Sequence, residues 1–303
     1  MKTKALTALI AASTLFAAPA LAQESSPSRS DIETAAAAFV QPSNAERLRV
    51  ITEQLTAAGV AHEIQTFEGG NDRTGPMEGK NVVVTMGQGD KDIVLTAHYD
   101  AVKLRDGTLA QGIVDNAGSV LAMMEVMKAL RDQPTRHRLI FVLTDQEELG
   151  LIGARHWLQG HDKSRIHAVI NADVAAYGET VMYGENNGDP SAFVLSALRL
   201  QCAEQSVECM PYPVYPPSDD RVFSAAGVPV VSLGTQDAIG AHQMWLAFNG
   251  GEDNGLREGF VPPVFQRIHS TEDKLDLLNG ADVVRFSRFV ADLAIRLDRA
   301  DGA

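Results

Sequence analysis

Cysteine is scarce in this chain of 303 residues. There are only two, Cys202 and Cys209, separated by six residues in "LQCAEQSVECMPYP". That spacing is not the C-x-x-C of a redox or zinc site. In an exported protein the pair is expected to form one disulfide closing a short loop, worth about 2–3 kcal/mol, with two free thiols as the alternative. Nucleophile and phosphate motifs are missing too. There is no G-x-S-x-G, no P-loop and no H-E-x-x-H, and "GQGDKD" lacks the third glycine of a dinucleotide fingerprint, so serine-hydrolase and nucleotide-binding readings find no support. Basic residues fall well short of acidic ones, 26 against 39, for a formal charge of -13. Such acidity argues against nucleic acid and anionic membrane surfaces as partners. Beyond the N-terminus, no apolar run approaches the ~20 residues needed to span a bilayer.

The N-terminal segment "MKTKALTALIAASTLFAAPALA" carries Lys2 and Lys4, an apolar stretch from Ala5 to about Ala18, and Ala20-Leu21-Ala22. A positive start, a short apolar region and an A-x-A ending predict a secretory signal peptide cut after Ala22, leaving no membrane anchor. The mature chain is then expected to be secreted or periplasmic, a single domain over residues 23–303 with a polar, frayed stretch at 23–34. A composition of 45% hydrophobic and 21% charged residues is that of an ordinary globular protein.

Along this domain, strand and helix patterns alternate. "HEIQTF", "NVVVTM", "DIVLTAH", "RLIFVLT", "HAVINAD" and "GVPVVSLG" read as strands, and the continuous apolar run of "RLIFVLT" marks a strand buried on both faces. "SNAERLRVITEQLTAAG" reads as a helix with Ser43 and Glu46 as a capping box. "DNAGSVLAMMEVMKALRD", "GLIGARHWLQG", "DPSAFVLSALRLQCAEQ" and "ADVVRFSRFVADLAIRLDR" follow as helices, and the methionine stripe of the first of these is core. Residues 237–263, rich in glycine and asparagine, show no period and are expected to form a long surface excursion. The pattern predicts one α/β domain with a largely parallel sheet.

Acidic and histidine side chains gather at the carboxyl ends of these strands, where an open α/β sheet presents its ligand site. His98 and Asp100 end "DIVLTAHYD", Glu147 and Glu148 follow "RLIFVLTDQ", and Asp173 closes "HAVINAD". Asp115 stands at the start of the methionine-rich helix, where a plain N-cap is the ordinary reading. A cluster of carboxylates in one cleft needs cations to stay ionised. Histidine and carboxylate donors without cysteine suit zinc, or a comparable ion such as manganese or cobalt. Asp100 is placed to accept the other N–H of the His98 imidazole.

Taken together and in order, "DIVLTAHYDAV", "GIVDNAGSV", "FVLTDQEELGLIGARHW", "VINADV", "SDDRVFSAAGVPVV" and "HSTEDKLDLL" resemble the M28 family of metallopeptidases, the group of bacterial secreted aminopeptidases. The resemblance implies a three-layer α/β/α sandwich around a mixed sheet holding two zinc ions, with peptides as substrates. His98 and Asp173 would hold one ion, Glu148 and His269 the other, and Asp115 would bridge them. Glu147 would turn the other way and act as general base toward a water bound to the metals. His269 is singled out by the resemblance alone, and His242 is the least secure of the other histidines set aside. Tyr215, just before Ser218 and Asp219, sits where the family often carries a tyrosine that helps hold the oxyanion; packing against the neighbouring prolines is the competing reading. Asp220 departs from the family's usual S-D-H. A cis Asp115–Asn116 peptide is also implied. The rival readings are a single-zinc glutaminyl cyclase on the same fold and a non-catalytic binding domain, though the latter would have lost ligands that are all present here.

Overall fold

The computed structural model describes residues 28–300. The signal segment and its cleavage site lie outside them. The polar stretch at 23–34, expected to be frayed, instead enters a helix at Arg29. That helix, α1 (Arg29–Ala37), is fixed by Ser28, whose hydroxyl accepts the N–H of Asp31 while Asp31 returns a bond to the Ser28 backbone. α2 (Asn44–Ala57) begins at Ser43, whose hydroxyl accepts the Glu46 N–H.

The sheet has eight strands: β1 (Glu63–Asn71), β2 (Gly75–Met86), β3 (Asp92–His98), β4 (Arg138–Thr144), β5 (Ile166–Ala172), β6 (Thr180–Gly184), β7 (Cys209–Tyr212) and β8 (Val230–Gln236). Their order is β1-β2-β4-β3-β5-β8-β6-β7. The central run β4-β3-β5-β8 is parallel, as are β6 and β7, while β1, β2 and β6 join antiparallel. The mixed, largely parallel sheet is as expected, but β6 and β7 carry no strand pattern in the sequence. Both are short, and β7 is held at the sheet edge by the Cys202–Cys209 disulfide to the end of α5 (Ala192–Gln205).

Alternation along the strands builds two apolar layers. Ile93, Leu95, Phe141, Leu143 and Ile170 face α3 (Gly118–Leu130) and α9 (Gly280–Arg299). Val94, Ile140, Val142 and Val169 face Trp157 and Leu158 of α4 (Ile152–Gln159) and Phe223 of α6 (Asp220–Ala225). Residues 237–263 are not wholly irregular. Ala238–Asn249 is a helix, α7, started by Asp237, whose carboxylate accepts the Gly240 N–H. Its period is blurred in the sequence because Ile239 and Phe248 stay exposed while Ala241 and Met244 are buried. Pro263–Arg267 forms the short α8.

Arg47 of α2 is fully buried. Its guanidinium donates to the carbonyls of Phe39, Tyr99, Gln111 and Gly112, tying α2 to the loop that follows β3. Burial without a carboxylate partner in direct contact lowers its pKa to about 10. Among the described residues no helix is long and apolar enough to cross a membrane.

Candidate metal centre

The parallel strands β3, β4 and β5 end side by side, so the residues that leave them share one rim. His98 is the last residue of β3 and Asp173 follows β5 directly, while Glu147 and Glu148 lie three and four residues beyond β4. The two glutamates diverge. Glu147 offers an oxygen within 4.8 Å of ligand atoms on His98 and Asp173, and Glu148 does the same with Asp115 and His269. Glu147 thus faces the His98 side of the site and Glu148 the His269 side.

Asp115 lies between the two groups. Its Oδ1 is 3.0 Å from His98 Nε2 and its Oδ2 is 3.1 Å from His269 Nε2. Asp115 does not cap the helix that follows. α3 starts at Gly118, and Asp115 and Asn116 have non-helical backbones joined by a cis peptide, as the resemblance implied. Each histidine nitrogen also meets a second carboxylate, Asp173 Oδ1 at 3.4 Å from His98 and Glu148 Oε2 at 3.1 Å from His269. His269 itself sits at φ +57°, outside the ordinary range for a non-glycine residue.

The electrostatics follow from this crowding. Burial, together with the charges of Asp173, Asp219 and Asp100, pushes Glu147 up to about 10 against the pull of His98. Burial likewise raises Glu148 to about 7, opposed by its bond from His269. His269 rises to about 10 through its bonds to Asp115 and Glu148. Burial also works to raise Asp115, but the hydrogen bonds from His269 and His98 outweigh it and hold it below the usual carboxylate range. For His98, burial works downward, and it is overcome by the Glu147 charge and by bonds to Asp100, Asp115 and Asp173.

These residues fit divalent cations. Four carboxylates face two imidazole nitrogens, and the buried Glu148 Oε1 carries no hydrogen bond. Buried polar atoms are rarely left so without a partner. Carboxylate oxygens and neutral imidazoles are the donor set of zinc, and ligation requires both in their deprotonated forms.

Asp100 departs from its expected part. His98 Nδ1 bonds to the Asp100 backbone carbonyl at 3.1 Å, with the carboxylate farther off at 3.4 Å. The carboxylate instead accepts the N–H groups of Glu147 and Glu148, at 3.1 and 3.2 Å, and so fixes the backbone carrying both glutamates. Tyr215 is buried, packs edge-on against Tyr212 and lines a cavity of about 260 Å³ that opens on Asp115, Glu147, Glu148, Asp173 and His269. A side chain at Gly234 would collide with its hydroxyl. His242 lies exposed on α7, away from both groups.

Three supporting residues have no role in the sequence reading. Asp273 accepts the N–H groups of Ile113, Val114 and Asp115. Asp219 accepts the Thr144 hydroxyl beneath Glu147, and burial raises it to about 7. Gln146, at φ +60°, reaches Gly70 with Oε1 at 2.8 Å, and no side chain would fit at Gly69 against it. Asp273 and Asp219 stand inside the quoted motifs, four residues after His269 and one after Ser218, so an acid close to a ligand was the available signal.

Known proteins agree with this frame. The chain is 25% identical over 211 residues to the alkaline phosphatase isozyme conversion protein of Escherichia coli, covering 62% of this chain and 58% of that one. It is 24% identical over 220 residues to a probable leucine aminopeptidase of Trichophyton verrucosum, covering 70% and 55%. It thus spans a little over half the length of these relatives. In structure it is similar to the glutaminyl cyclase of Porphyromonas gingivalis, with a TM-score of 0.68, 15% identity, and 88% and 97% of the two chains covered. That likeness speaks to the fold alone. The model of Peptidase family M28 matches residues 81–294, well over half of the sequence, and the chain belongs to that family.

Proposed function

We propose that the protein is an exported aminopeptidase that binds two zinc ions. His98 and Asp173 hold one, Glu148 and His269 the other, and Asp115 is shared. The observation that carries this reading is Asp115, whose two carboxylate oxygens lie 3.0 and 3.1 Å from different histidines. Zinc bound there supplies a Lewis acid that lowers the pKa of the attacking water and offsets charge developing on the peptide carbonyl oxygen.

The chain's own groups do the rest. Glu147 takes a proton from the water as its oxygen attacks the carbonyl carbon. When the C–N bond breaks, Glu147 delivers that proton to the leaving amine nitrogen. A general base must be ionised, and cations held by its neighbours would lower a pKa that burial and the nearby carboxylates together raise to about 10. Asp100 keeps Glu147 and Glu148 on one rigid backbone through its two N–H bonds. Tyr215, which lines the same cavity, donates its hydroxyl to the carbonyl oxygen in this reading. The likeness to the probable leucine aminopeptidase supports action at the N-terminus. The Cys202–Cys209 disulfide supports an oxidising, extracytoplasmic location.

The test is amino-acid release from short peptides with free or acetylated N-termini, on fresh, chelator-stripped and zinc-restored protein, with zinc content measured alongside. Release from free N-termini only, lost on stripping and restored by zinc at near two ions per chain, is the expected result. Release from acetylated peptides would make it a carboxypeptidase. Cyclisation of N-terminal glutamine with loss of ammonia would favour the glutaminyl-cyclase reading, which the shared fold supports.

A further inference from the structure

The cavity beside the metal centre is walled by Met182, Met244, Phe248, Val264, Phe265 and Ile268, all apolar. One amide interrupts it. Gln236, the last residue of β8, lines the same cavity and is only 1% exposed. Its Nε2 donates to Met244 Sδ at 3.1 Å and to Met182 Sδ at 3.7 Å. Among the described residues these thioethers are its only hydrogen-bond partners, and Oε1 accepts no bond.

A primary amide has two donors and a two-lone-pair acceptor, and thioether sulfur is a weak acceptor. Burying such a group without good partners costs about 1–3 kcal/mol. A leucine or methionine at this position would carry no such cost, so packing does not explain a glutamine. The amide is also fixed in place. A Cβ at Gly240 would lie 2.8 Å from Gln236 Oε1, so the first turn of α7 closes over it. It is a weakly satisfied hydrogen-bonding group in a stretch of the cavity wall that is otherwise apolar.

Resting on the aminopeptidase reading, we infer that Gln236 is a specificity residue selecting an N-terminal side chain that carries a neutral hydrogen-bonding group at the tip of an apolar body, tyrosine over phenylalanine. The apolar walls take the ring. The amide exchanges its sulfur contacts for a phenolic hydroxyl, which both donates and accepts. The net gain of one such bond corresponds to a roughly 3- to 10-fold preference.

The measurement compares kcat/KM for otherwise identical peptides beginning with tyrosine or phenylalanine, on the zinc-loaded protein and on Gln236→Met. In parallel, calorimetry compares tyramine with phenethylamine, which requires no turnover. The native protein should favour the hydroxylated member of each pair by about 3-fold or more. Gln236→Met should abolish that preference by weakening the tyrosine peptide, leaving the phenylalanine peptide within about 3-fold. Met244→Leu removes the nearer sulfur and frees the amide, so it should raise the preference, and it keeps the test alive if Gln236→Met fails to fold. Equal handling of both pairs by the native protein, or a preference that survives Gln236→Met, overturns the inference while leaving the peptidase reading intact. Selective tyramine binding lost in Gln236→Met, with no peptide turned over, sinks the aminopeptidase reading and keeps the pocket.

Discussion

Asp273 holds the backbone on which Asp115 sits. Its Oδ2 accepts the Asp115 N–H at 3.1 Å, and its Oδ1 accepts the N–H groups of Ile113 and Val114 at 3.0 and 2.7 Å. The residue never reaches the cleft, yet it sets the direction in which the shared carboxylate points. Asp273→Ala leaves three buried donors unsatisfied. The expected cost is on the order of 2–4 kcal/mol of stability, with zinc affinity about 10- to 100-fold weaker. Chelator competition and thermal unfolding measure the two separately. Unchanged zinc affinity would mean that Asp115 is held by other contacts.

Glu147→Gln preserves shape and removes the proposed base. It is expected to keep both zinc ions and to lose about 10²- to 10⁴-fold in kcat. Metal content and single-substrate kinetics on the same preparation decide it. Loss of one ion instead would make Glu147 a ligand, as its place beside His98 and Asp173 also permits.

Tyr215→Phe separates chemistry from packing. If the hydroxyl stabilises the developing oxyanion, kcat falls by roughly 10²-fold with KM nearly unchanged. If the ring only packs against Tyr212 and the prolines, kcat stays and only the melting temperature moves.

The stripped protein should depend on pH in an unusual direction. Burial raises Asp145 and Asp219 to about 7 from the ordinary carboxylate range. Between about pH 4 and 7 the folded chain therefore holds protons that the unfolded chain releases, so stability falls as pH rises through that window. Below it the trend reverses. Asp92, buried yet paired with Arg138 and His161, and Asp115 are both held low, so their stabilisation is lost on acidification. Zinc should remove much of the decline toward pH 7, since cations favour ionised carboxylates. Melting curves from pH 4 to 8, with and without zinc, test this; a stripped protein equally stable at pH 5 and pH 7 would contradict it.

The central strands and the helices around them were legible because parallel strands buried on both faces leave continuous apolar runs, as "RLIFVLT" does. The gathering of His98, Glu147, Glu148 and Asp173 followed from strand ends and that of Asp115 from a helix start, while His269 came only from the family resemblance. What escaped depends on tertiary contact. β6 and β7 are too short to show a period, and α7 mixes exposed and buried apolar residues because it roofs a cavity. Asp273 reaches its three N–H partners across about 160 residues of chain. Asp100 was read through its side chain, whereas its backbone carbonyl is what meets the imidazole. Local pattern carries neither kind of information.

Arg47 places the limits of the folding unit elsewhere than sequence similarity does. The family match opens at residue 81. A chain trimmed to that point would lose a guanidinium that holds three carbonyls of the 99–112 segment, at Tyr99, Gln111 and Gly112. Those oxygens would be stranded in the interior just behind His98 and Asp115. The helix that carries Arg47 thus braces the loop leading from His98 to Asp115, although it belongs to a stretch of chain that the similarity does not reach.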